Sequence, residues 1–128
     1  MIIPGMPERF AIRYGALRPL LSLLGLGPRH SGLELDRDRL RARMGWAFIA
    51  AVPRAQIRSA ERSEGAVGAV GVHGWRGHWL VNGAASGLVT LRIEPAARAW
   101  AIGVPVKLTS LRVSVEDPDA LLAALGAA

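Results

Sequence analysis

The chain has 128 residues but no cysteine, a single lysine and few aromatic side chains: four Trp, two Phe and one Tyr. Without cysteine there is no disulfide, no thiolate-held metal and no cysteine nucleophile, and the composition suits a reducing, cytoplasmic compartment. Long apolar runs are missing too. The leucine-rich stretch 17–26 would reach roughly 15 Å as a helix at ~1.5 Å per residue, half a bilayer core, so it is too short to cross one. Met1 to Phe10 lacks the basic-then-apolar order of a signal peptide. What remains is 51% hydrophobic and 20% charged, a composition that opposes disorder, in a length that suits one domain.

The charge is one-sided. Residues 1–62 hold 11 arginines against five acids, and residues 63–128 hold five basic residues against five acids, so the whole excess of +6 lies in the first half. If those arginines share a face, it attracts anionic partners such as phospholipid, nucleic acid or an acidic protein surface.

Hydrophobic periodicity reads as strands. Arg9 to Tyr14 alternates, and Gly32 to Met44 forms a hairpin turning at Asp36-Arg37-Asp38. Within it Leu40, Ala42 and Met44 face inward and Arg39, Arg41 and Arg43 outward. Glu34 and Asp36 on the partner strand offset part of that row. Trp46 to Val52 continues the β pattern, and Ala55 to Ala60 is a tight turn or bent strand with Ile57 inward. Glu64 to Gly71 is a Gly/Ala-rich loop. Trp79 to Asn82 is a strand that ends at the turn dipeptide Asn82-Gly83, and Leu88 to Glu94 is the next. Residues 95–104 fit either a helical turn or a short strand. Val106 to Val115 is the last strand, and its inward parity shifts near Thr109-Ser110, as at a bulge.

Two helices interrupt the pattern. Leu17 to Leu26 is apolar on most of its circumference, with Leu17, Leu20, Leu21 and Leu24 as a candidate interface for another chain or for lipid. At the C-terminus Asp117 suits an N-cap, Pro118 the first helical position and Gly126 the stop. This places Leu121, Leu122 and Leu125 on one buried stripe.

About seven short strands closed by one helix is the outline of a pleckstrin-homology-like barrel or sandwich. Val52-Pro53-Arg54-Ala55-Gln56-Ile57-Arg58-Ser59-Ala60 resembles the IP-x-x-x-I-x-x-V step of bacterial PH-like domains. Ser114 to Leu121 resembles the S-x-D-P-x-x-L lead-in to their closing helix. The block Gly71 to Gly83 looks like a segment of uncharacterised actinobacterial proteins of this size. The resemblance covers roughly residues 30–126 and implies a PH-like fold, with no activity to carry over. The apolar helix after the first strand departs from the usual bacterial PH pattern.

Chemistry-bearing constellations are sparse. No serine stands in a Gly-x-Ser-x-Gly elbow, and the acids sit at turns and caps. His73 and His78 differ by an odd number and would face opposite sides of a continuous strand, which leaves no third ligand for a metal. Trp75 and Trp79 share parity with Val81 and would pack on the core, or else form an aromatic rim with Arg76 supplying charge. Arg37, Arg39, Arg41 and Arg43 suit phosphates, but few rings interleave with them, as single-strand binders require. The expectation is therefore a non-catalytic binding or assembly module with no cofactor. It would act through a protein partner, a second copy or an anionic membrane surface, with a nucleic-acid-binding or small apolar ligand-binding β-barrel as the alternative.

Overall fold

The computed structural model describes residues 8–63, 71–84 and 86–126, so residues 64–70 of the expected 64–71 loop and the start at 1–7 lie outside the described residues, while Gly71 opens a strand. The strands are β1 (Glu8–Phe10), β2 (Ser31–Leu35), β3 (Arg39–Met44), β4 (Phe48–Pro53), β5 (Ile57–Arg62), β6 (Gly71–Trp75), β7 (His78–Asn82), β8 (Leu88–Ala101) and β9 (Val104–Ser114). Helix α1 is Arg18–Leu23 and α2 is Pro118–Ala124. The nine strands form one sheet in the order β1-β2-β3-β4-β8-β9-β7-β6, with β5 added on β8.

The 14-residue β8 organises the molecule. Its C-terminal part, Ala99 to Ala101, pairs with β4, and its N-terminal part, Val89 to Ile93, pairs with β5. The register against β9 shifts between Arg92 and Ala97, where Pro95 has no N–H to donate. Across the shift the N–H groups of Thr109 and Ser110 both donate to the Gly77 carbonyl, at 2.8 and 3.2 Å. This bulge lets Leu108 face inward and still leaves Leu111 and Val113 inward after it. Residues 95–101 are thus strand, and the helical alternative is discarded.

Nine strands stand among the described residues where about seven were expected, and two further expectations need correction. The sheet does not close into a barrel: among the described residues the chain between β1 and α1 forms no further strand, and it meets the ends of β7 and β9 through isolated bridges, Ile12 with Val115 and Tyr14 with Gly83, and a few side-chain hydrogen bonds. Asn82-Gly83 is also no hairpin turn. Gly83 is there for proximity, since a Cβ would lie 2.6 Å from the Tyr14 ring and 2.8 Å from the Arg13 carbonyl. Ser114 ties these segments together. It is fully buried; its Oγ donates to the Arg13 carbonyl at 3.0 Å and accepts from the Gly83 N–H at 3.0 Å.

The buried apolar side chains form one core cluster, with Leu33, Leu40, Phe48, Leu91, Leu108 and Leu111 among its members. Helix α2 starts as its sequence suggests, with Asp117 accepting from the Ala120 N–H at 3.1 Å and Pro118 in the first turn. Its stripe is narrower than expected: Leu121 is fully buried, whereas Leu122 and Leu125 are only half-buried. The helix lies at the rim, with Arg54 donating to the Ala124 carbonyl at 3.1 Å and Asp119 paired to Arg62 at 3.1 Å, so one residue reaches the core and its neighbours look partly outward.

Candidate functional site: an apolar tip beside an arginine face

In β3, Leu40, Ala42 and Met44 are buried and Arg39, Arg41 and Arg43 are exposed, the alternation read from the sequence. Part of the charge is offset. Arg41 pairs with Asp36 at 3.5 Å and Arg9 with Glu34 at 3.3 Å, while the Arg43 Nε donates to the Gly45 carbonyl at 3.1 Å. The Asp36 carboxylate accepts the N–H groups of Asp38 and Arg39, both at 2.8 Å, and these bonds hold its pKa below the usual value. Arg37 sits exposed in the turn between β2 and β3. Next to the row a cleft of about 770 Å³ is lined by Arg9, Arg29, His30, Arg41, Arg43 and Ile49, among others.

An apolar tip adjoins this face. Leu23, Leu24, Trp46, Ile49, Trp100, Ile102 and Val104 are all exposed, Leu23 to 83%. They come from the end of α1, the β3–β4 connection, the outer face of β4 and β8, the β8–β9 turn and the first residue of β9, and specific bonds join several of these pieces. The Trp46 indole N–H donates to the Leu24 carbonyl at 2.7 Å, the Ile102 N–H donates to the Ala47 carbonyl at 2.8 Å, and Ile49 is paired with Trp100. Gly45 permits the first contact: its φ is +53°, and a Cβ there would lie 2.0 Å from the Gly25 carbonyl oxygen. Cations flank the tip, with Arg43 opposite Ile49, Arg98 two residues before Trp100, and Lys107 opposite Arg98.

The end of α1 decides which leucines face water. The Leu26 N–H donates to the Leu21 carbonyl and the Gly25 N–H to the Ser22 carbonyl, with Gly25 at φ +81°. This is a Schellman ending, whose two hydrophobic members are Leu21 and Leu26, and both are buried. The Tyr14 hydroxyl donates to the Leu26 carbonyl at 2.6 Å, and burial raises the Tyr14 pKa. Of the four leucines expected at an interface, Leu17, Leu20 and Leu24 are exposed; Leu21 belongs to the core, which corrects its assignment. The helix itself is shorter than the 17–26 reading, because Gly25 reverses the chain.

The β8–β9 turn is costly as built. Ile102 and Gly103 have φ of +50° and +76°, and the two-residue connection joins the paired residues Ala101 and Val104. Such turns favour Asn-Gly, because a β-branched residue is strained in the left-handed region. Here an isoleucine occupies the position and leaves 64% of its surface in water. Neither backbone nor folding accounts for that choice.

Arg76 does not join the arginine row. It lies in the β6–β7 turn, at the other end of the sheet order, with its guanidinium 5.5 Å from the Trp75 ring centroid. That turn also corrects the parity argument for its neighbours. The pair Trp75–His78 closes a hairpin around Arg76 and Gly77, so His73, Trp75, His78 and Leu80 share one face. Trp75 is exposed, and Trp79 faces inward with its ring 6.1 Å from that of Phe48. Sequence reasoning missed Trp46, Ile49, Trp100, Ile102 and Val104. The alternation of Trp100, Ile102 and Val104 with Ala99 and Ala101 held the signal, but only the structure shows that the large residues face out.

Comparison with protein-family models, curated proteins and solved structures gives no match for this chain.

Proposed function

We propose that this protein is a non-catalytic docking module on a PH-like scaffold that engages an anionic membrane surface through the apolar tip and its basic flank. The observation that carries the reading is the joining of two exposed tryptophans with exposed Leu, Ile and Val side chains beside Arg43, Arg98 and Lys107. Peripheral attachment requires both parts: apolar groups to enter the acyl boundary and cations to meet acidic headgroups. Tryptophan favours the headgroup level, where its ring is part apolar and part polar. A half-exposed apolar side chain has on the order of 1 kcal/mol left to gain by burial. Each cation near an acidic leaflet adds about 1 kcal/mol. Seven apolar residues and three cations therefore suffice for reversible attachment. Charge complementarity favours lipid over a second copy of this chain, whose own tip would bring the same cations into repulsion.

Support for the PH-like scaffold comes from the 52–60 and 114–121 stretches and from a mainly β fold that ends in a short helix. Attachment would be peripheral, from the cytoplasmic side. Among the described residues no helix is long and apolar enough to cross a membrane.

Co-sedimentation with phosphatidylglycerol-containing vesicles tests the proposal. Binding is expected at low salt, weakening as the screening length falls to about 8–10 Å near physiological salt. It should be weaker on neutral phosphatidylcholine. Absence of binding to acidic vesicles at low salt would overturn the membrane reading. A dimer in light scattering that dissociates when Leu20 and Leu24 become glutamate would then assign the tip to self-association.

A further inference from the structure

On the half of the sheet away from the arginine row, strand register collects a second group of polar side chains. The β6–β7 hairpin puts His73, Trp75, His78 and Leu80 on one face. The parallel pairing of β7 with β9 then sets His78 beside Ser110 and Leu80 beside Arg112. Together they line a cleft of about 310 Å³. That is near the lower end of the roughly 300–1,000 Å³ typical of small-molecule sites.

The chemistry of the lining is selective. None of its residues is acidic. Arg112 is half-buried and makes no ion pair among the described residues. A guanidinium drawn partly out of water calls for an anion, and its fork suits carboxylate or phosphate oxygens. His78 Nδ1 and Ser110 Oγ lie 2.7 Å apart. If the hydroxyl donates to Nδ1, the imidazole keeps an Nε2–H to offer. If Nδ1–H donates instead, the serine hydroxyl proton is free to turn outward. Either tautomer leaves one donor for a ligand beside Arg112. At the lip stands the indole of Trp75, 73% exposed.

We propose that this cleft binds a small phosphate ester, its oxygens on Arg112 and the His78–Ser110 pair and its apolar group on Trp75 and Leu80. The site is separate from the tip and does not depend on membrane docking.

Amide chemical-shift titrations with inorganic phosphate and with phenyl phosphate test it. Both are expected to shift residues 73–80 and 110–112 saturably, with phenyl phosphate the tighter. Arg112→Gln should weaken both by about tenfold or more. Trp75→Ala should remove the advantage of phenyl phosphate while leaving inorganic phosphate within about twofold. Ser110→Ala, a smaller change, is a second check on the oxygen contacts and should weaken both probes. Failure of the cleft residues to shift, shifts confined to the Arg39–Arg43 face, or unchanged affinity in a folded Arg112→Gln protein would each overturn the proposal.

Discussion

The two short helices have similar leucine content and opposite fates. Helix α2 begins with a side-chain cap at Asp117 and delivers Leu121 to the core at 0% exposure. Helix α1 has no side-chain cap at Leu17, and its Schellman ending buries only Leu21 and Leu26, leaving Leu17, Leu20, Leu23 and Leu24 in water. Leucine richness therefore says little about burial. The way each helix is entered and left sets which side chains meet the sheet. What α2 contributes is stability, and what α1 contributes is an exposed apolar surface joined to two turns.

The contrast yields graded expectations. Leu121→Ala empties a fully buried site and should lower unfolding free energy by about 2–5 kcal/mol in urea titration, with vesicle binding of the folded fraction intact. Asp117→Ala leaves the Ala120 N–H without its acceptor and should cost about 1 kcal/mol by the same measurement. Ile102→Asn runs the other way. It gives the β8–β9 turn the residue its geometry favours and should raise stability by roughly 1 kcal/mol, while vesicle affinity falls. A stability gain without loss of affinity would remove Ile102 from the tip. Leu20→Glu with Leu24→Glu should change stability least, within about 0.5 kcal/mol, and yet weaken attachment to acidic vesicles by about tenfold or more, since each adds a negative charge at or beside the tip. A large loss of stability in that double variant would make α1 a second structural helix and break the comparison.

The contrast was half legible in the sequence. Local rules carried the 32–44 hairpin, the outward row of Arg39, Arg41 and Arg43, and the start of α2, because period-two alternation and capping act within a few residues. Parity failed where a turn intervened. His73 and His78 differ by an odd number, yet the Arg76-Gly77 connection brings them to the same face, since opposite partners in a hairpin point the same way. The tip was out of reach for another reason. Leu24, Trp46 and Ile102 meet through bonds between turns far apart in sequence, and no local period encodes such a meeting. The barrel expectation overshot similarly: a strand count does not reveal that the chain after β1 meets the ends of β7 and β9 through isolated bridges and not through a continuous ladder.

The buried hydroxyl of Ser114 has a bearing on the order of assembly. It fastens Arg13, 101 positions earlier, to Gly83 and the end of β9. Closing so long a loop costs entropy before any contact is gained, so this knot forms after the β2–β3–β4 meander, whose contacts are local. The segment around Arg13 that links β1 to α1 is therefore fastened late. A partly unfolded chain would then hold its central hairpins before the Arg13 segment docks, and slow amide exchange at Arg13 and Gly83 would report that this long-range fastening is complete.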